Sequence, residues 1–93
     1  MDSDIAKEVI RVSYSEDFGR TFGRAKRKDK KLFEQIETQI FKILREPSIS
    51  KPLRYTLKNR RRVHVGSFVL VYEFHDGELR FIDFNHHDKI YKH

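Results

Sequence analysis

Residues 63–84, VHVGSFVLVYEFHDGELRFIDF, decide the fold because they hold three apolar runs separated by two short turn signals. Gly66-Ser67 and Asp76-Gly77 both suit two-residue β-hairpin turns. The segment therefore predicts three consecutive antiparallel strands, each joined to the next by a tight turn.

The two turns also predict a register, since directly opposite residues of antiparallel strands share one face of the sheet. Across the first turn it pairs Val65 with Phe68, His64 with Val69, Val63 with Leu70 and Arg62 with Val71. Across the second it pairs Phe74 with Leu79, Glu73 with Arg80, Tyr72 with Phe81, Val71 with Ile82 and Val69 with Phe84.

This register gives the sheet an apolar face, which is the predicted core: Val63, Val65, Phe68, Leu70, Tyr72, Phe74, Leu79 and Phe81. The opposite face is predicted to carry Arg62, His64, Val69, Val71, Glu73, Arg80, Ile82, Phe84 and His86. Since a pleated strand alternates its side chains, His64 points away from the core and beside basic residues.

Upstream of these strands the sequence predicts one more strand and a helical hairpin. Residues 8–14, EVIRVSY, alternate as a half-buried strand does. Ser15, followed by two acidic residues, is typical of a helix N-cap. The apolar spacing over residues 32–44 predicts a second helix that ends at Pro47. We therefore expect an α+β fold of order β-α-α-β-β-β: one domain, residues 1–93, with the two helices packed on one face of an antiparallel sheet.

Composition limits the classes of function. Twenty Lys and Arg against fourteen Asp and Glu give a net charge of +6 and a pI near 9.7, which favours polyanions or acidic protein partners. The lack of cysteine excludes disulfides and thiolate zinc sites. No apolar run approaches the roughly 20 residues of a membrane span, and the N-terminus does not look like a signal peptide, so we expect a cytoplasmic protein with no membrane partner.

The positive charge is concentrated in two blocks of six basic residues each, RAKRKDKK at 24–31 and KPLRYTLKNRRR at 51–62. The second block has no acidic residue and leads into a strand, which suits binding to phosphates by ion pairing and counterion release. The alternative is a solvated strand end that resists aggregation. The candidate phosphate-binding residues are Lys51, Arg54, Lys58, Arg61 and Arg62.

Histidines supply the candidate chemistry, because imidazole exchanges protons near neutral pH. His86 and His87 are adjacent, so only one of them can face His64 while the strand continues. The three could transfer protons around a phosphodiester or be merely exposed. As metal ligands they lack any recognised spacing, so we expect no metal and no other cofactor. Tyr91 could exchange a proton, stack on a base or anchor the C-terminus.

The order of these segments resembles the RelE/ParE superfamily of type II toxin–antitoxin toxins, particularly archaeal RelE-like members. The likeness extends from about residue 8 to residue 91 and is strongest from residue 51 onward, through RRVHVGSFVLVYEF and HHDKIY. It implies a domain that cleaves mRNA in the ribosomal A site, without a metal, by attack of the ribose 2′-hydroxyl to give a cyclic phosphate. It also implies a cognate, RelB-like antitoxin as the inhibiting partner.

The resemblance also suggests which residues act. Tyr91 matches the family's C-terminal tyrosine, and His86 or His87 matches the His or Arg before it. Many RelE toxins have an arginine where Val69 stands, and a valine can neither bind phosphate nor donate a proton. The pattern is closer to the YafQ-like branch, which implies His64 with His86 or His87 as the acid and base. An alternative is a non-catalytic ParE-like toxin that poisons DNA gyrase; another is an inactive relic that only binds antitoxin.

An antitoxin also needs a surface to cover. The predicted register leaves an apolar strip on the face that carries His64, formed by Val69, Val71, Ile82 and Phe84. Exposed apolar residues amid positive charge suit an acidic, amphipathic segment. We expect such a segment to inhibit by occluding the strip.

Overall fold

The computed structural model describes residues 9–47, 51–52 and 60–91, and the side chains of all of these except residues 51, 52 and 91. Its elements are β1 (Arg11–Tyr14), α1 (Glu16–Lys28), α2 (Lys30–Arg45), β2 (Lys51–Pro52), β3 (Arg60–Val65), β4 (Phe68–His75), β5 (Glu78–His86) and α3 (His87–Tyr91). The predicted β-α-α-β-β-β order is confirmed, with two short additions, β2 and α3.

The sheet has the strand order β1-β5-β4-β3-β2 and is mixed. Strands β2 to β5 pair antiparallel, as predicted, but β1 runs parallel to β5, with Arg11 opposite Glu78 and Tyr14 opposite Phe81. The prediction of a purely antiparallel sheet is therefore wrong. No hairpin turn connects β1 to β5, so the turn chemistry that fixes the direction of β4 and β5 does not act on β1.

Two short polar residues begin the helices, and one of them also binds the sheet. The Ser15 hydroxyl oxygen accepts from the Phe18 N–H at 3.0 Å, which caps α1 as predicted, and donates to the Ile82 carbonyl at 2.5 Å. Asp29 ends α1 through a bond from its N–H to the Ala25 carbonyl, 2.8 Å. Its carboxylate caps α2 by accepting from the Leu32 N–H at 3.1 Å. One residue thus forms the whole turn between the helices.

The core lies between the helical hairpin and one face of the sheet. The helices contribute apolar residues at helical spacing, and β3, β4 and β5 contribute large residues of alternating position. The buried members are Phe18, Ala25, Ile36, Ile43, Val65, Leu70, Tyr72, Leu79, Phe81 and Phe84. The Tyr72 hydroxyl, buried among them, donates to the Pro47 carbonyl at 2.6 Å and so holds the end of α2 to the sheet.

The predicted register holds for the first hairpin and for three of the five predicted pairs of the second. Every predicted pair between β3 and β4 is confirmed, as are the three β4–β5 pairs nearest the Asp76-Gly77 turn. Beyond Tyr72 opposite Phe81 the pairing shifts by one residue, so that Val71 lies opposite Asp83. Ile82 is the extra residue of a β-bulge, and the predicted pairs of Val71 with Ile82 and of Val69 with Phe84 are wrong.

The bulge reverses which side chains of β5 face the helices after residue 82. Phe84 lies opposite Leu70, is only 2% exposed and stacks on Phe68 with 5.2 Å between ring centroids. His86 lies opposite Phe68 and so belongs to this face as well. Placing Phe84 and His86 on the face that carries His64 was therefore wrong, and a one-residue insertion in the strand is the reason.

None of the helices in the described part of the chain is both long enough and apolar enough to cross a membrane.

Ser15 couples the start of α1 to the bulge, and its replacement tests that coupling. We expect Ser15→Ala to lower the free energy of unfolding by about 1–3 kcal/mol, because both the helix cap and a donor to the Ile82 carbonyl are lost. Ser15→Thr keeps the hydroxyl and is the matched control. Urea denaturation of the three proteins measures the difference. Equal stability of the Ala and Thr variants would show that neither hydrogen bond contributes.

Candidate functional site

Two histidines meet at the β3–β4 turn. His64 is exposed near the end of β3, and His87 is the first residue of α3, whose N–H donates to the Ser67 carbonyl at 2.9 Å. That bond places His87 over the turn, with its ring stacked near the His64 ring at a centroid distance of 6.0 Å and an angle of 29°. The two rings are closer than the roughly 10 Å that two strand spacings would give, because the chain leaves the strand before His87.

His86 lies on the other side of the same turn. Its ring contacts the edge of Phe68, with 5.8 Å between centroids, and its Nδ1 accepts from the Asp88 N–H at 3.2 Å. The structure therefore brings His87 rather than His86 to His64. Since His86 packs on the helix face, it does not share the surface that His64 and His87 occupy.

An acidic residue accompanies the histidines. One carboxylate oxygen of Asp88 is 3.5 Å from His87 Nδ1, and the other is 3.8 Å from His86 Nδ1. The Asp88 carboxylate therefore lies close to the Nδ1 atoms of both histidines that follow β5 into α3. The described residues hold no group of three His, Asp or Glu side chains that could bind a metal ion.

The predicted phosphate-binding residues are divided between the two faces of the sheet. Arg62 lies two residues before His64 and shares its face, whereas Arg61, opposite Tyr72, belongs to the helix face. Arg60, also on the His64 face, is paired with the Glu73 carboxylate at 2.8 Å. Arg62 lies opposite Val71 of β4, on the face that carries His64.

Other predicted site residues are placed only in part. The backbone of Lys51 pairs with Arg62, which puts that residue at the edge of the sheet next to β3. Arg54 and Lys58 lie outside the described residues. Tyr91 is the last residue of α3, and the structure describes its backbone but not its side chain.

Three of the four residues in the apolar strip expected to bind a partner are buried, and the fourth, Ile82, is half-buried. Val69 is 0% exposed, Val71 is 4% exposed, and Phe84 lies in the core on the other face. The prediction of an exposed strip was wrong for all three. It treated the outer face of the sheet as open to solvent and placed Phe84 on that face, whereas β4 is the central strand and the bulge turns Phe84 to the helices.

Exposed apolar residues occur instead along β1, at the edge of the sheet. Ile10 is 70% exposed, Val12 50% and Tyr14 63%. Beside them lies an apolar hollow of about 280 Å³ between β1 and the helices, lined by Val12, Tyr14, Phe18, Gly19, Phe22, Gly23, Ile40 and Phe81. The alternation of EVIRVSY predicted a strand here but did not show which side would be exposed.

Comparison with known proteins assigns this arrangement to a class. The model of the family described as "ParE toxin of type II toxin-antitoxin system, parDE" matches residues 12–91. The protein named "Putative toxin RelE4" from Methanocaldococcus jannaschii is 39% identical over 69 residues, which are 71% of this chain and 73% of that protein.

Solved structures share the fold. The YoeB/ParE toxin from Agrobacterium tumefaciens superposes with a TM-score of 0.73 at 16% identity and covers 84% of this chain and 99% of its own. The Escherichia coli DinJ-YafQ complex gives a TM-score of 0.62 at 26% identity, covering 87% of this chain and 97% of that one. The protein is a toxin of the RelE/ParE superfamily. Within it, the chain belongs to the family of ParE toxins of type II toxin–antitoxin systems.

The contact between His64 and His87 can be tested by NMR in the isolated protein. We expect His64→Ala to shift the ring-proton resonances of His87, because a stacked imidazole 6.0 Å away is removed. The resonances of His75 should not move, since it lies at the opposite end of β4. Unchanged His87 signals would show that the two rings do not meet in solution.

Proposed function

We propose that this toxin is a ribosome-dependent mRNA endoribonuclease that acts in the cytoplasm, in the ribosomal A site, and uses His64 and His87 as its proton-transfer groups. One observation carries the proposal: two exposed imidazoles lie face to face on the sheet surface that also carries Arg62. In a chain of this family, that pairing supplies the groups that RNA cleavage needs.

The reaction is an attack of the ribose on its own phosphate. A base removes the proton of the 2′-hydroxyl, the 2′ oxygen forms a bond to phosphorus, and the bond from phosphorus to the 5′ oxygen breaks. An acid protonates that 5′ oxygen, which gives a 2′,3′-cyclic phosphate and a free 5′-hydroxyl. The two oxygens lie on opposite sides of phosphorus, so the acid and base must be separated and each must approach its oxygen to about 3 Å. The two ring centroids are 6.0 Å apart and the rings are stacked, so the proposed reaction requires each ring to turn a nitrogen atom towards its own oxygen of the phosphate.

In this proposal Arg62 stabilises the negative charge of the transition state. The phosphorane carries extra negative charge, and a guanidinium on the same face stabilises it through charge-assisted hydrogen bonds. Val69 lies directly opposite His64 but is fully buried, so the position at which many RelE toxins have arginine is closed to the substrate. Lys51, Arg54 and Lys58 would bind phosphates further along the RNA, and Tyr91 would orient a base or the phosphate.

Substitution of single histidines tests the assignment. We expect His64→Ala and His87→Ala each to lower the cleavage rate roughly 10²-fold or more, because a proton-transfer group is lost. His86→Ala should have a smaller effect, and His75→Ala, an exposed histidine at the far hairpin turn, is the matched control. Sequencing of RNA 5′ ends after brief induction measures cleavage in each variant. Full activity of His64→Ala would remove that residue from the mechanism.

A second candidate function is favoured by the family match itself. The matching model describes ParE toxins, and the resemblance stated above links that branch to poisoning of DNA gyrase without catalytic residues. The two candidates give opposite results in the same experiment. A gyrase poison would leave the mRNA 5′ ends unchanged and would inhibit supercoiling by purified gyrase, and its toxicity would survive loss of His64. A chain that fails both assays would be an inactive partner of its antitoxin.

The antitoxin surface is proposed to lie on β1 rather than on the outer face of the sheet. Exposed Ile10, Val12 and Tyr14 lie at the edge of the sheet formed by the described strands, beside the apolar hollow. An extended segment could pair with that edge while its apolar side chains enter the hollow. The basic residues of 24–31 on the adjoining helices suit an acidic segment. Such binding leaves the histidines uncovered unless the segment extends to the β3–β4 turn.

Charge introduced at this edge should release the antitoxin. We expect Tyr14→Arg to weaken binding of the cognate antitoxin by at least tenfold, because a cation would enter an apolar hollow. Phe41→Arg is the matched control, since Phe41 is 57% exposed and does not line the hollow. Titration of each purified variant with antitoxin gives the affinities. Equal affinities of the two variants would place the antitoxin elsewhere.

A further inference from the structure

Uncharged polar side chains of α2 lie beside His64. Gln35, Thr38 and Gln39 line one hollow of about 240 Å³ together with His64, Val65 and Gly66. Residues three and four apart on a helix share a face, so the three polar side chains form one patch directed at the β3–β4 turn. Sequence reasoning missed this patch, because it interrupts neither the apolar stripe of α2 nor its helical spacing.

The hollow continues along α2 towards the basic junction of the helices. A neighbouring hollow of about 270 Å³ shares Gln35, Val65 and Gly66 with the first, and it extends to Lys31 at one end and Phe68 at the other. The two form a groove that passes under the turn. Gly66, at the tip of the turn, has a φ of +62°, and among the described residues an added Cβ would meet nothing within 4 Å.

The lining of the first hollow suits a base rather than a phosphate. Thr38 donates its hydroxyl proton to the Glu34 carbonyl at 2.9 Å and keeps its acceptor capacity. The side-chain amides of Gln35 and Gln39 form no hydrogen bond with other residues in the described part of the chain. Each amide presents a donor and an acceptor side by side, which is the pattern that pairs with the N7 and N6 of adenine. Guanine offers two acceptors at the same edge and suits a cation instead.

The size and position of the hollow also fit a single unpaired nucleotide. Pockets for drug-sized ligands measure roughly 300–1,000 Å³, and this one is smaller. Sequence-specific recognition of RNA uses unstacked bases whose edges meet side-chain amides. His64 lines the hollow itself, so a base held there belongs to a nucleotide next to the phosphate at the histidine pair.

We propose that Gln35 and Gln39, with Thr38, form a recognition subsite for an unpaired adenine that flanks the phosphate bound at His64. The inference rests on the proposed ribonuclease function for its biological meaning, but binding at the subsite needs no cleavage. Lys31, at the far end of the groove, contacts the phosphate backbone and contributes no base preference.

Short RNAs that cannot be cleaved test the subsite directly. The probes are four 2′-O-methyl trinucleotides, UAU, UGU, UCU and UUU, titrated into the whole purified protein while the side-chain NH₂ resonances of the two glutamines are followed by NMR. We expect UAU to bind most tightly, by roughly 5- to 100-fold, and to shift both amide signals. Gln35→Leu and Gln39→Leu should each reduce that preference.

A control variant separates base recognition from general RNA affinity. Lys31→Gln should weaken all four trinucleotides alike, because a phosphate contact is lost. The leucine variants should keep the wild-type backbone spectrum, since leucine is a good helix former and the replaced glutamines are not buried.

The outcomes distinguish this inference from the proposed function. Equal binding of the four trinucleotides, no binding of any, or an adenine preference that survives both leucine substitutions would overturn the subsite, even if induction cleaves mRNA. An adenine preference lost in the leucine variants would support the subsite. If induction then left mRNA intact, only the ribonuclease proposal would fail.

Discussion

The bulge at Ile82 is the constraint on which the rest of the structure depends. Without the extra residue, β5 would continue the register set by the Asp76-Gly77 turn and would direct Phe84 to the outer face. With it, Phe84 enters the core against Leu70 and Phe68. The carbonyl of the bulged residue accepts the Ser15 hydroxyl at the start of α1, so helix and strand hold the irregularity together. Bulges next to functional sites commonly re-aim a side chain in this way.

The same irregularity sets the geometry of the histidines. Because the bulge exchanges the faces of the side chains that follow it, His86 contacts the Phe68 ring on the helix face. β5 ends at His86, so His87 lies over the turn, donates to the Ser67 carbonyl and stacks near His64. Alternate side chains of β3 lie on opposite faces of the sheet, so Arg62 shares the surface of the histidine pair and Arg61 lies on the helix face. Arg60, the remaining arginine of the run, forms an ion pair with Glu73. The positive surface beside the histidines is therefore narrower than the run RRR implies.

Much of this could be predicted from the sequence, and the failures have a common physical cause. Turn chemistry fixed the first hairpin, and apolar spacing with the Ser15 cap fixed the helices, because these signals are local. The bulge has no local signal: Ile82 reads as one more alternating residue, and only the packing of Phe84 against the helices selects the shifted register. The direction of β1 and the exposure of its apolar side chains were equally hidden, since both depend on a neighbour far along the chain.

The parallel pairing of β1 with β5 has a consequence for the time at which the protein acquires its shape. Ser15 and Ile82, which join these regions, are 67 positions apart. A nascent chain grows at about 5–20 residues per second, so for several seconds the edge strand has no sheet to join, while the helical hairpin can already form. Contacts of such long separation close late and at an entropic cost. The histidine pair at the turn also needs α3, whose His87 N–H donates to the Ser67 carbonyl, so we expect this surface to form late in folding.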